Sequence, residues 1–110
     1  MKIFIPTKDV SELSLVSEQL GRSTYFYIYN TKTEEGVFYP NLYLKESHGA
    51  GVKVVEFILS HKVDYLITPR VGEKSMDLLM ESNVKIYQSN GKVVKEVIKD
   101  LMNDSLEELI

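Results

Sequence analysis

The residues with the most chemical content in this 110-residue chain are Ser47-His48-Gly49-Ala50-Gly51, which open directly into the apolar run Val52 to Leu59. A helix starting there presents unpaired N–H groups and the positive end of its dipole beside one imidazole and two glycines. Glycine lets a ligand approach the backbone closely, so such a turn can hold an anion on main-chain amides. The imidazole of His48 can in addition offer a lone pair to a metal ion. The plainer alternative is a glycine-rich loop before a helix with a surface histidine, because one histidine does not make a metal site.

The elements that must position this turn are legible along the chain. Lys2 to Pro6 is apolar and β-rich, and reads as a buried central strand rather than a signal peptide. Thr7 to Arg22 is polar and irregular, and segments of that length without an element are more often functional. Thr24 to Asn30 is dense in aromatic residues and predicts a strand. Its alternation gives Phe26 and Ile28 to the core and leaves Tyr25, Tyr27 and Tyr29 half-exposed on the other face. A polar turn, Thr31 to Gly36, leads to a partner strand at Val37-Phe38-Tyr39, ended by Pro40-Asn41. In the helix over Val52 to Leu59, Lys53, Glu56 and Ser60 form one narrow polar stripe, as expected of a helix covered on most sides.

Val63 to Thr68 is a strand halted by Pro69, and a second helix is expected around Glu73 to Glu81 with Met76, Leu79 and Met80 inward. Val84 to Tyr87 is a short strand, followed by an Asn90-Gly91 turn. In a third helix Val93, Val94, Val97, Ile98, Leu101 and Met102 recur at helical spacing. Asn103-Asp104-Ser105 breaks or recaps it before Leu106 to Ile110.

A hairpin followed by alternating helices and strands predicts a single α/β domain over residues 1–110. Its mixed five-stranded sheet has order 3-2-1-4-5, with the second strand antiparallel and about three helices. Ligands of such sheets sit outside the carboxyl ends of the parallel strands, at the switch in strand order. Four segments converge there: Thr7 to Arg22, Asn41 to Gly51, Pro69 to Glu73 and Gln88 to Gly91. They bring Lys8, Arg22, His48, Arg70 and glycines 49, 51, 72 and 91 to one rim, a basic and amide-rich edge suited to a small anionic ligand. The alternative is that Arg22 and Arg70 are solvated or paired with carboxylates.

Composition narrows the function classes. The chain carries 13 basic and 16 acidic residues, a net charge of −3, which argues against general affinity for nucleic acid. It contains no cysteine, so it supplies no thiolate nucleophile and no thiolate ligand to zinc or an iron–sulfur cluster. No apolar run reaches the ~20 residues that cross a bilayer, and a cytoplasmic location is expected. The first strand lacks the carboxylate that a two-metal nuclease needs, and no Gly-x-Ser-x-Gly elbow is present. His61, after the first helix, is expected to interact with that helix's C-terminus.

Several blocks taken together resemble the dinitrogenase iron–molybdenum cofactor biosynthesis family, which includes NifX-like proteins and the C-terminal domain of NifB-type proteins. They are Met1-Lys2-Ile3-Phe4-Ile5-Pro6-Thr7, Leu20-Gly21-Arg22-Ser23-Thr24-Tyr25-Phe26, His48-Gly49-Ala50-Gly51-Val52, Val63 to Ile67 with Val71-Gly72, and Val84 to Tyr87. The resemblance implies a ribonuclease-H-like fold and non-catalytic binding or carriage of an iron–sulfur or iron–molybdenum-type cluster or its precursor. It implies cofactor-assembly proteins as partners, with His48 as the candidate metal ligand and Arg22 and the glycine loops around the anionic group. The histidine-phenylalanine pair that many relatives carry before Gly-Arg is here Gln19-Leu20. With no cysteine, His48 or non-thiolate groups must hold any cluster. Two other readings use the same features without metal. One is a site for a phosphate- or carboxylate-bearing metabolite; the other is a protein-interaction surface built on Tyr25, Tyr27, Tyr29 and Tyr39.

Overall fold

A computed structural model describes residues 1–46, 48–89 and 91–109; Ser47, Asn90 and Ile110 lie outside the described residues. The elements are β1 (Lys2–Thr7), β2 (Tyr25–Asn30), β3 (Glu35–Pro40), α1 (Ala50–Ser60), β4 (Tyr65–Thr68), α2 (Glu73–Met80), β5 (Lys85–Gln88), α3 (Val94–Met102) and β6 (Glu107–Glu108). They form one mixed sheet of order β3-β2-β1-β4-β5-β6. β1, β4 and β5 run parallel, while β2 is antiparallel to β1 and β3 to β2. The predicted order is therefore present, with a sixth strand added.

The break expected at Asn103-Asp104-Ser105 is present, and the segment after it supplies the sixth strand. Asp104 adopts a left-handed conformation (φ 57°), which reverses the chain after α3. Glu107 and Glu108 then pair antiparallel to Gln88 and Tyr87, and Lys85 meets Glu108 at 3.9 Å.

Both faces of the sheet are covered, and β1 shows why its sequence is continuously apolar. Phe4 points to one layer, where Val54, Val55 and Ile58 of α1 and Leu79 of α2 meet Phe26, Ile28, Leu66 and Ile86. Ile3 and Ile5 point to the other, with Val94, Val97 and Ile98 of α3, Val16, Ile67 and Tyr27. The polar stripe of α1 is exposed as its spacing predicts. On α2, Leu79 is buried and Met76 packs against the core as expected, whereas Met80 is exposed and Ser75 is the other buried position. His61 caps the C-terminal end of α1: its Nδ1 lies 2.9 Å from the Phe57 carbonyl and its ring stacks on Phe57 at 4.0 Å. This is the structural role expected of it.

Tyr27 departs from expectation. It is only 3% exposed, because α3 and the segment 8–17 roof the face on which a two-layer reading would leave it wet. Its hydroxyl donates to the Glu12 carboxylate at 2.7 Å. Burial, and then that carboxylate, push its ionisation well above the ordinary tyrosine value of 10.0. The neutral form is thus favoured in the folded state. The resulting stability is fully present below pH 10 and is lost as pH rises from there toward the folded value. Denaturation curves of wild type should weaken above pH 10 more steeply than those of Tyr27→Phe. Parallel pH profiles would show that Tyr27 is not the alkaline-sensitive group.

Candidate functional site

Loops at the carboxyl ends of β1 and β4 diverge, and the divergence opens a cleft. After β1, the segment 8–17 turns toward α3. Its Glu12 and Ser14 carbonyls accept the N–H groups of Lys95 and Val94, capping that helix with main chain. The Thr7 hydroxyl starts the turn by donating to the Asp9 carbonyl, and the Ser14 hydroxyl accepts from the Asp9 N–H. The chain then crosses back, and residues 19–22 arrive over the start of α1. After β4 the Thr68 hydroxyl donates to the Arg70 carbonyl at 3.2 Å and the Gln88 amide donates to the Pro69 carbonyl at 3.2 Å. Those two bonds hold the turn that carries Arg70 and Gly72.

The cleft between these segments has a volume of about 410 Å³, within the range of small-ligand sites. Arg22, Gly49, Gly51, Arg70 and Gly72, all predicted site residues, line it, and so do Lys74 and Ser75. His48 is exposed and stands one residue before Gly49, but it does not itself line the cleft. Lys8 and Gly91 do not line it either. The rim expected from the sequence is therefore split: the segments ending at α1 and α2 converge, while Lys8 lies on the segment that caps α3.

What the cleft offers is donors. Neither α1 nor α2 has a side-chain N-cap. Gly49 takes the left-handed conformation at the cap of α1 (φ 74°) and Gly72 an extended one at the cap of α2. The first intrahelical bonds run from Lys53 N–H to the Gly49 carbonyl and from Met76 N–H to the Gly72 carbonyl. The N–H groups of residues 50–52 and 73–75 precede them and meet no acceptor among the described residues. Two positive helix ends thus face one cleft, whereas the third is plugged by the segment 8–17.

Charge adds to this. Arg22, Arg70 and Lys74 stand against one lining carboxylate, Glu73. Arg22 Nη1 donates to the Leu44 and Glu46 carbonyls, each at 3.0 Å, which pins the segment after β3 and orients the guanidinium. No ion pair of Arg22 or Arg70 with a carboxylate occurs among the described residues. The buried Asn41 fixes the other side: its amide donates to the Gly21 and Ser23 carbonyls at 3.2 and 2.8 Å, and its oxygen accepts from Tyr43 N–H. Gly21 itself lies so close to α1 that a Cβ there would stand 2.9 Å from the Gly51 nitrogen. Asn41, Lys74 and Ser75 are functional candidates the sequence did not single out. Asn41 reads there only as a strand terminator, and the Ser75–Gly51 approach joins residues that are remote in sequence.

The sequence model of the family described as dinitrogenase iron–molybdenum cofactor matches residues 1–104. The chain belongs to that family. Membership associates it with handling of the iron–molybdenum cofactor rather than with a known catalytic step. Among solved structures, a Thermotoga protein assigned as NifB is 34% identical, with 98% of this chain and 92% of that one covered and a TM-score of 0.86. The apo orange protein from Desulfovibrio gigas is 21% identical, with 97% and 91% covered and a TM-score of 0.91. A protein from Methanocaldococcus jannaschii assigned as a dinitrogenase is 19% identical, with 99% and 94% covered and a TM-score of 0.73. The last two likenesses speak to the fold alone. No curated protein matches the sequence. No group of three or more histidine, cysteine, aspartate or glutamate side chains that could hold a metal ion occurs among the described residues. With no cysteine, the chain offers no thiolate to a metal, and the cleft's donor set suits an anion held as a whole.

Proposed function

We propose that this protein is a non-catalytic carrier that binds an anionic iron–sulfur or iron–molybdenum-type cluster, or its precursor, in the cleft between the starts of α1 and α2. The observation that carries the reading is the meeting of two helix N-termini without side-chain caps, flanked by Arg22 and Arg70, in a chain of this family. The cluster is the cargo. Main-chain N–H groups of α1 and α2 would hydrogen-bond its outer atoms, and the arginines would neutralise its charge. His48, exposed beside Gly49, would supply the single imidazole ligand. Cofactor-assembly proteins are the corresponding partners, since a carrier must load and unload.

Anaerobic reconstitution with iron, sulfide and molybdate, followed by desalting and visible absorption, tests this reading. Wild type is expected to retain a chromophore and His48→Ala to retain markedly less. A colourless wild type would overturn the carrier assignment in favour of a metal-free anion site. Equal colour in both proteins would remove His48 from the ligand set and leave the cargo to the amides and arginines.

A further inference from the structure

Ser75 is 5% exposed, lies in the first turn of α2 and lines the cleft, yet its hydroxyl makes no hydrogen bond among the described residues. Its oxygen is not sealed from solvent, so the unused donor opens onto the cleft. The hydroxyl of Ser89 likewise has no partner among the described residues, but it is fully enclosed and lies off the cleft. Ser75 differs in its surroundings. Its Oγ occupies the place where a side chain on Gly51 would go: a Cβ there would stand 2.6 Å from it. The missing side chain at the second residue of α1 is thus what makes room for the hydroxyl at the seam between the two helices.

We infer that Ser75 Oγ–H is a ligand donor and that the inner end of the cleft seats an oxyanion group. The inference rests on the reading of the cleft as the binding site, and it names the chemistry of what enters first. At the seam the Ser75 hydroxyl stands close to Gly51, and the main-chain N–H groups of Gly51 and Ser75 have no acceptor among the described residues. Several donors grouped around one point match an acceptor carrying several oxygens on a single centre, as phosphate and sulfate do. A hydroxyl adds to the amides a donor that can rotate to its acceptor. Arg70 and Lys74 then supply charge from the rim.

The test is titration of the intact protein with inorganic phosphate and with methyl phosphate, followed by amide chemical shifts. Shifts are expected to concentrate at Ala50, Gly51, Lys74 and Ser75. Ser75→Ala should bind about tenfold more weakly, with an unchanged melting temperature. Gly51→Ala should bind more weakly by a similar factor, because its Cβ drives the hydroxyl from its place, while its stability holds or rises as usual for glycine to alanine in a helix. In the Ser75→Ala background the Gly51→Ala change should have little further effect on affinity. Similar affinity for both phosphates means that the seat takes the group even when it is carried on a larger molecule; binding of inorganic phosphate alone means that it takes the free ion. Equal phosphate affinity in wild type and Ser75→Ala, or shifts away from the seam, overturns the inference. If such a protein still retains the reconstituted chromophore, the carrier reading survives that failure. Ser75-dependent phosphate binding in a protein that stays colourless is the reverse case.

Discussion

Removing both cleft arginines is expected to weaken cargo binding by roughly a hundredfold, about tenfold for each guanidinium taken from the cargo. Arg70→Ala is the cleaner of the two changes, since its side chain makes no hydrogen bond to the described residues and only charge and donors leave with it. Arg22→Ala does more. It also releases the Leu44 and Glu46 carbonyls, so the segment after β3 loses its tether. Arg22→Lys restores charge without the fork and should recover only part of the affinity. Raising the ionic strength should weaken wild type strongly and the double variant little, because the long-range attraction is then already absent. The measurement is the reconstituted chromophore retained after desalting, followed across a salt series. Wild-type retention by the double variant at low salt would place the cargo somewhere other than this cleft.

Gly36→Ala is expected to be among the most damaging single substitutions outside the site, at about 2–3 kcal/mol. Gly36 pairs with Tyr29 across the β2–β3 ladder, and the ring of the neighbouring Tyr27 lies directly over it. A Cβ at position 36 would overlap the Tyr27 hydroxyl and the ring atoms beside it. The ring cannot step aside, because Phe38 packs against it at 4.3 Å and its hydroxyl is held by Glu12. Moving it would also loosen the segment 8–17, whose carbonyls cap α3. Chemical denaturation of Gly36→Ala, Tyr27→Leu and the double variant checks this. The alanine should be nearly harmless once the ring is gone, whereas additive losses would show that the clash is not the cause.

The strand order and the convergence of two helix starts were legible because they follow from apolar runs, turn residues and chain crossover rules. The apolar run of β1 and the narrow polar stripe of α1 each report a two-sided burial that the fold realises. What was not legible depends on which way a polar segment leaves a strand. Nothing in residues 8–17 says that their carbonyls will meet the start of α3, and without that roof Tyr27 looks half-exposed. The polar pair Glu107-Glu108 has no strand pattern of its own; it pairs because a turn at Asp104 brings it back along β5. At the site, glycines 49, 51 and 72 and arginines 22 and 70 could be named from their positions at loop ends. His48 was placed in the right turn but not in the cleft lining, since a residue just outside a helix cap can point its side chain away from the rim. Ser75 stayed hidden because its meaning depends on the absence of a side chain at Gly51, on another helix.

Peptide groups, more than side chains, supply the free donors where α1 and α2 meet. Among point mutations only a change to proline deletes a peptide N–H, so the seat's preference for negative charge outlasts drift at most positions. Selectivity then rests with the few surrounding side chains, chiefly Arg22, Arg70, Lys74 and Ser75. A host built in this way can change its guest one residue at a time without first losing its grip on the old one.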